Sequence, residues 1–207
     1  MARSGDGEWI FLEKPWDRGG NNRPAHQYQP RCAEFPRESY VGISNKSDAE
    51  VAISDQIEKF GSEIDRDAFD GFCQLLASLQ TAQYHTFSSL LYWRNGGVGA
   101  LQEPDVFCSD ILIARRSSAA SDVTSLDAVE PLAQDFCQRL QRAGTPKAKY
   151  RRNAIHLRLM VTVFGTKIDP QPLGYSLEIK ILGGGSSKEN ALNQWAKAVE
   201  LMNSALF

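Results

Sequence analysis

The sequence predicts an α+β domain in which amphipathic helices cover an antiparallel sheet, preceded by an extended N-terminal arm. Three observations carry this. Two apolar runs of period two, Ile155–Phe164 and Tyr175–Leu182, flank the turn signal Asp169-Pro-Gln-Pro-Leu-Gly174 and read as a β-hairpin with one apolar face. Three stretches repeat apolar residues at the helical spacing of three and four. The order is helices, strand, helix, hairpin, helix, which lacks the regular alternation of a parallel α/β fold.

Residues 1–40 hold four prolines (Pro15, Pro24, Pro30, Pro36) and six aromatics (Trp9, Phe11, Trp16, Tyr28, Phe35, Tyr40). Proline and glycine keep regular structure short there, whereas disordered tails are poor in aromatics. The segment reads as an arm lying on its own domain or on a neighbouring copy, because large aromatic surfaces are stabilised by burial. Residues 41–207 form the single domain.

Ser47-Asp-Ala-Glu50 has the spacing of a capping box, and Val51, Ile53, Ile57 and Phe60 follow on one helix closed by Gly61. A second helix covers about 66–80, with Phe69, Phe72, Leu76 and Leu79 on one stripe. Residues 81–94 fit helix or strand equally. Asn95-Gly-Gly breaks the chain, and Val106–Ala114 is a strand. Leu126, Val129, Leu132, Ala133, Phe136 and Leu140 place a helix over 126–143, with Pro131 expected to bend its second turn and Gly144 and Pro146 to stop it. After the hairpin, Gly183-Gly-Gly185 ends the strand. Ser186-Ser-Lys-Glu189 then reads as a second capping box, opening a helix with Leu192, Trp195, Val199 and Met202 inward.

The 207 residues are 42% hydrophobic and 23% charged with a net charge of -2, which excludes global disorder and a uniformly basic nucleic-acid protein. No apolar run approaches the ~18 residues of a membrane span. The first residues, MARSGDGEWIFLEKPW, lack the apolar core of a secretory signal, so an intracellular, cytoplasmic setting is expected. Cys32, Cys73, Cys108 and Cys137 form no CxxC pair. Cys73 and Cys137, each beside a Phe, read as buried reduced thiols.

Charge is segregated. Between Asp135 and Asp169 there is no acid, but there are eight cations: Arg139, Arg142, Lys147, Lys149, Arg151, Arg152, Arg158 and Lys167. Residues 48–70 carry eight acids against Lys59 and Arg66. The first window, centred on Lys147-Ala-Lys149-Tyr150-Arg151-Arg152, suits an acidic protein or a nucleic-acid backbone. Tyr150 is available to stack on a base, and Arg142 and Arg158 extend the patch.

Chemistry has one candidate. Asp169, followed nine residues later by Glu178-Ile179-Lys180, resembles the Asp…(Asp/Glu)-x-Lys pattern of the PD-(D/E)xK nuclease superfamily. The resemblance covers about thirty residues. It implies two acids holding Mg²⁺ and a lysine orienting the attacking water. The sequence departs from the pattern: Ile168 rather than Pro precedes Asp169, and only one helix follows the motif strand. His26, His85 and His156 show no zinc spacing, and GxSxG, GxxxxGK[ST] and GxGxxG are missing. The expected function is therefore a non-catalytic binding or adaptor protein, with no cofactor, acting through Arg142, Lys147, Lys149, Tyr150, Arg151, Arg152 and Arg158. The alternatives are a Mg²⁺-dependent nuclease using Asp169, Glu178 and Lys180, and a structural subunit assembling through the N-terminal arm.

Overall fold

The computed structural model describes residues 10–13, 43–94, 105–115, 125–144, 154–163 and 173–207. In chain order the elements are β1 (Ile10–Glu13), α1 (Lys46–Ala52), α2 (Ser54–Phe60), α3 (Arg66–Ser78), β2 (Tyr84–Arg94) and β3 (Asp105–Arg115). Then follow a 3₁₀ turn (Leu126–Ala128), α4 (Glu130–Ala143), β4 (Ala154–Val163), β5 (Leu173–Gly185) and α5 (Lys188–Leu206). The strands form one sheet in the order β1-β4-β5-β3-β2, antiparallel except that β1 runs parallel to β4. The α+β class and the helix-covered sheet are as expected.

The hairpin register pairs Ile155 with Ile181, Leu157 with Ile179 and Leu159 with Leu177, which puts the apolar residues of both strands on one face. On β3 that face carries Phe107, Ser109, Ile111 and Ile113, and the helices cover it to give one continuous core. Trp195 of α5 lies at its centre. Its ring meets Phe107 edge-on at 5.2 Å and Phe72 at 5.5 Å, and its indole N–H donates to Ser109 Oγ at 2.9 Å, so the one polar atom of a fully buried ring is satisfied.

Several local expectations are corrected. The first helix is two, α1 and α2, broken at Ile53, whose φ of -118° and ψ of 23° are not helical. The cap of α1 is Asn45, whose side chain accepts from Asp48 N, two residues before the expected Ser47. In α5 the cap is Ser187, accepting from Asn190 N, one residue after the expected Ser186. Helix α4 starts only at Glu130, so Pro131 occupies its first turn rather than its second, where its missing N–H would have no intrahelical partner. Residues 84–94 are a strand, with a register irregularity between Thr86 and Ser88.

The glycines at 183 and 185 belong to β5 rather than ending it. A Cβ on Gly183 would penetrate the Ala191 carbonyl and the Trp195 amide, so this glycine lets α5 lie against the strand backbone. Edge strand β2 is held differently. Gln56 of α2 donates from Nε2 to Ser89 O at 3.1 Å and accepts at Oε1 from Leu91 N at 2.6 Å, taking two outward-facing backbone groups.

Of the N-terminal arm, Ile10–Glu13 are in the sheet beside Ile155–Arg158. The remaining arm residues lie outside the described ones. Among the described residues no helix is long and apolar enough to cross a membrane.

Candidate functional site

The polar alternates of β3, β4 and β5 converge on the sheet face away from the helices. Pairing aligns Asp110 with Lys180 and Lys180 with His156; one rung along, Glu178 lies opposite Arg158. At one end of this face Val106, Cys108, Ala154 and Leu182 make a small apolar cluster with Tyr92, drawn from strands alone.

The charges on this face form short contacts. Arg158 Nη1 donates to Glu178 Oε2 at 2.7 Å, with the two side chains 12% and 5% exposed. Lys180 Nζ stands 3.2 Å from Asp110 Oδ1 and 3.3 Å from the Tyr92 hydroxyl, which itself donates to Asp110 Oδ2 at 3.1 Å. Buried charges need such partners, because an isolated one in a dry interior is strongly disfavoured. Burial dominates over attraction at Asp110: desolvation holds its carboxyl above the usual carboxylate range although Lys180 pulls the other way, and the Glu178 charge adds to the rise. Burial, reinforced by Asp110, also pushes the Cys108 thiol up to about 11 and the Tyr92 hydroxyl well above its ordinary value.

The expected nuclease residues are only partly brought together. Glu178 and Lys180 share the face as period two requires, while Asp169 lies outside the described residues. The Glu178 carboxylate is engaged by Arg158 and the Lys180 ammonium by Asp110 and Tyr92, so a cation bound by Glu178 would have to displace a guanidinium. Among the described residues no group of three or more metal-ligating side chains converges. The sequence reading missed Asp110 and Tyr92; the signal available was one acid inside the otherwise apolar run Val106–Ala114.

Of the expected binding residues, Lys147, Lys149, Tyr150, Arg151 and Arg152 lie outside the described ones. Arg142 is exposed in the last turn of α4, with no ion-pair partner among the described residues. Arg158 is different: it faces Glu178 across the hairpin and is no part of an open surface. Arg139, counted in the same window, bonds Asp135 at 3.0 Å and donates to Leu206 O at 3.0 Å. Cys73 and Cys137 are buried and form no disulfide, as expected, and the same holds for Cys108.

Comparison with protein-family models, with characterised proteins and with solved structures found no match.

Proposed function

We propose that the chain is a binding protein that contacts a polyanionic surface through Arg142 and the segment holding Lys147, Lys149, Tyr150, Arg151 and Arg152. The observation that carries this is the acid-free window between Asp135 and Asp169. Arg139 and Arg158 are neutralised locally, and Arg142 remains exposed where the chain leaves α4 for the densest part of the run. A cationic segment tethered between α4 and β4 raises the potential over its own patch whatever the net charge of -2. Screening confines the effect to about 8–10 Å at physiological salt, so it acts on a surface in contact rather than by distant attraction.

The test is titration of labelled single-stranded DNA and of polyglutamate with wild type and with the Lys149→Glu, Arg151→Glu double variant across a salt series. Binding by wild type weakens with salt. The variant binds less tightly, with a slope shallower by about 0.7 for each phosphate that it no longer neutralises. The polymer bound more tightly names the class of partner. Identical titrations for the two proteins would reject the patch.

A further inference from the structure

A second surface carries the opposite charge. Helices α3 and α5 pack side by side, and between them run two hollows of about 610 Å³ each that share Asp65, Ala68, Asn193 and Ala196 and so form one groove. The groove follows α5 from Glu189 to Ser204, about 22 Å at 1.5 Å per residue.

Its floor is apolar and shallow-sided: Ile64, Ala68, Gly71, Leu192 and Ala196. Three of these are alanine or glycine, which lets another backbone approach closely. Its rim is acidic. Asp65, Asp67, Glu189 and Glu200 are exposed and have no ion-pair partner among the described residues. Two lysines interrupt them, and Lys188 is drawn over the Trp93 ring, 5.1 Å from its centre. At the far end Asn203 gives Nδ2 to Gly71 O at 2.8 Å, which ties α5 to α3 beneath the groove.

We infer that this groove docks a cationic amphipathic helix of a protein partner, its small apolar face on Ala68, Gly71 and Ala196 and its lysines or arginines against the acidic rim. A helix fits better than an extended peptide. Both walls are helices whose backbone groups are bonded internally, so the groove offers side chains and no ladder for a strand. The length suits about four helical turns. This surface is independent of the basic segment, so either contact can fail without the other.

The probe is a labelled 16-residue helix-forming peptide of Leu, Ala and Lys with its apolar residues on one face, titrated into the full chain by fluorescence anisotropy. Two controls are its counterpart with Glu in place of Lys and one broken by two central prolines. Wild type is expected to bind the first saturably and both controls at least ten-fold more weakly. Asp67→Lys with Glu200→Lys, and separately Ala196→Phe, should each weaken binding at least ten-fold while thermal unfolding stays cooperative. Backbone amide shifts on binding should cluster in 65–71 and 189–204. No saturable binding, equal binding of the proline-broken peptide, or shifts elsewhere would overturn the proposal. So would unchanged binding to the Asp67→Lys, Glu200→Lys protein. Self-association abolished by the rim substitutions would assign the groove to a second copy and equally overturn it. A variant without a cooperative transition is replaced by Asp67→Asn with Glu200→Gln, for which a smaller drop in affinity and a shallower salt dependence are expected.

Discussion

Arg158 and Glu178 face each other across β4 and β5 with 2.7 Å between Nη1 and Oε2, both largely buried. This pair removes Arg158 from the cationic surface and Glu178 from any easily reached metal site. A buried ion pair adds little net stability compared with apolar replacements, yet breaking it strands a charge. Arg158→Ala is therefore expected to destabilise the fold by about 3–5 kcal/mol in urea unfolding, and Arg158→Met with Glu178→Leu to recover most of that. A single variant as stable as wild type would mean that Glu178 finds water or another cation.

Asp110 should give an unusual pH dependence. Its carboxyl is held above the ordinary 3.8 by burial, so the folded state takes up its proton at higher pH than the unfolded chain. Stability from this group therefore falls as pH rises from about the unfolded value through the raised folded one. Asp70 is the opposite: its hydrogen bond from Lys46 holds it below 3.8, so its contribution is present above that value and is lost as pH falls through the folded pKa. Measured against Asp110→Asn, wild type should lose relative stability between pH 3 and pH 7; against Asp70→Asn it should gain. Parallel trends in the two comparisons would contradict these assignments.

Gln56 should matter more than one side chain on a short helix suggests. Removing it in Gln56→Ala leaves Ser89 O and Leu91 N of the edge strand without their partner, an expected destabilisation of about 1–3 kcal/mol. The local sign is faster hydrogen exchange at the Leu91 amide than at its neighbours on β3. Unchanged exchange there would show that water replaces the glutamine.

Two glycines should respond in opposite directions. Gly183→Ala would drive a methyl into the backbone of α5 and lower the melting temperature sharply. Gly71 lies inside α3, where a Cβ would meet Val199 Cγ1 at 3.7 Å in ordinary contact, so Gly71→Ala should be neutral or stabilise by about 0.5–1 kcal/mol. A thermal melt of each protein decides. Equal effects would mean that α5 is not seated on β5 as described.

Cys73 and Cys108 should resist modification. Burial, with the neighbouring charges of Glu50 and Asp70, pushes the Cys73 thiol up to about 12, and Cys108 reaches about 11. At pH 8 almost no thiolate is present at either site, and a disulfide reagent should label them only after denaturation. Rapid labelling of either in native buffer, located by peptide mapping, would show that the core opens there.

The parts legible in the sequence were those whose signal is local. The hairpin declared itself because Ile155, Leu157 and Leu159 alternate, and α5 because Trp195 and its neighbours repeat at helical spacing. Strand β2 stayed ambiguous because its register shifts between Thr86 and Ser88, which breaks the alternation that would identify it. The four residues of β1 are too short to carry a pattern; pairing with β4 makes them a strand. The charge reading erred at Arg158 for a similar reason. Counting cations along the chain ignores the residue opposite, and Glu178 lies twenty positions further on but one strand away. Asp110 and Lys180 are likewise distant in sequence and adjacent across β3 and β5.

The parallel pairing of β1 has a consequence for synthesis. Ile10 meets Ile155 and Glu13 meets Arg158, so each residue of β1 pairs with a strand 145 positions further along the chain. β1 can therefore be seated only after β4 exists, and until that pairing forms this side of β4 has no strand neighbour among the described residues.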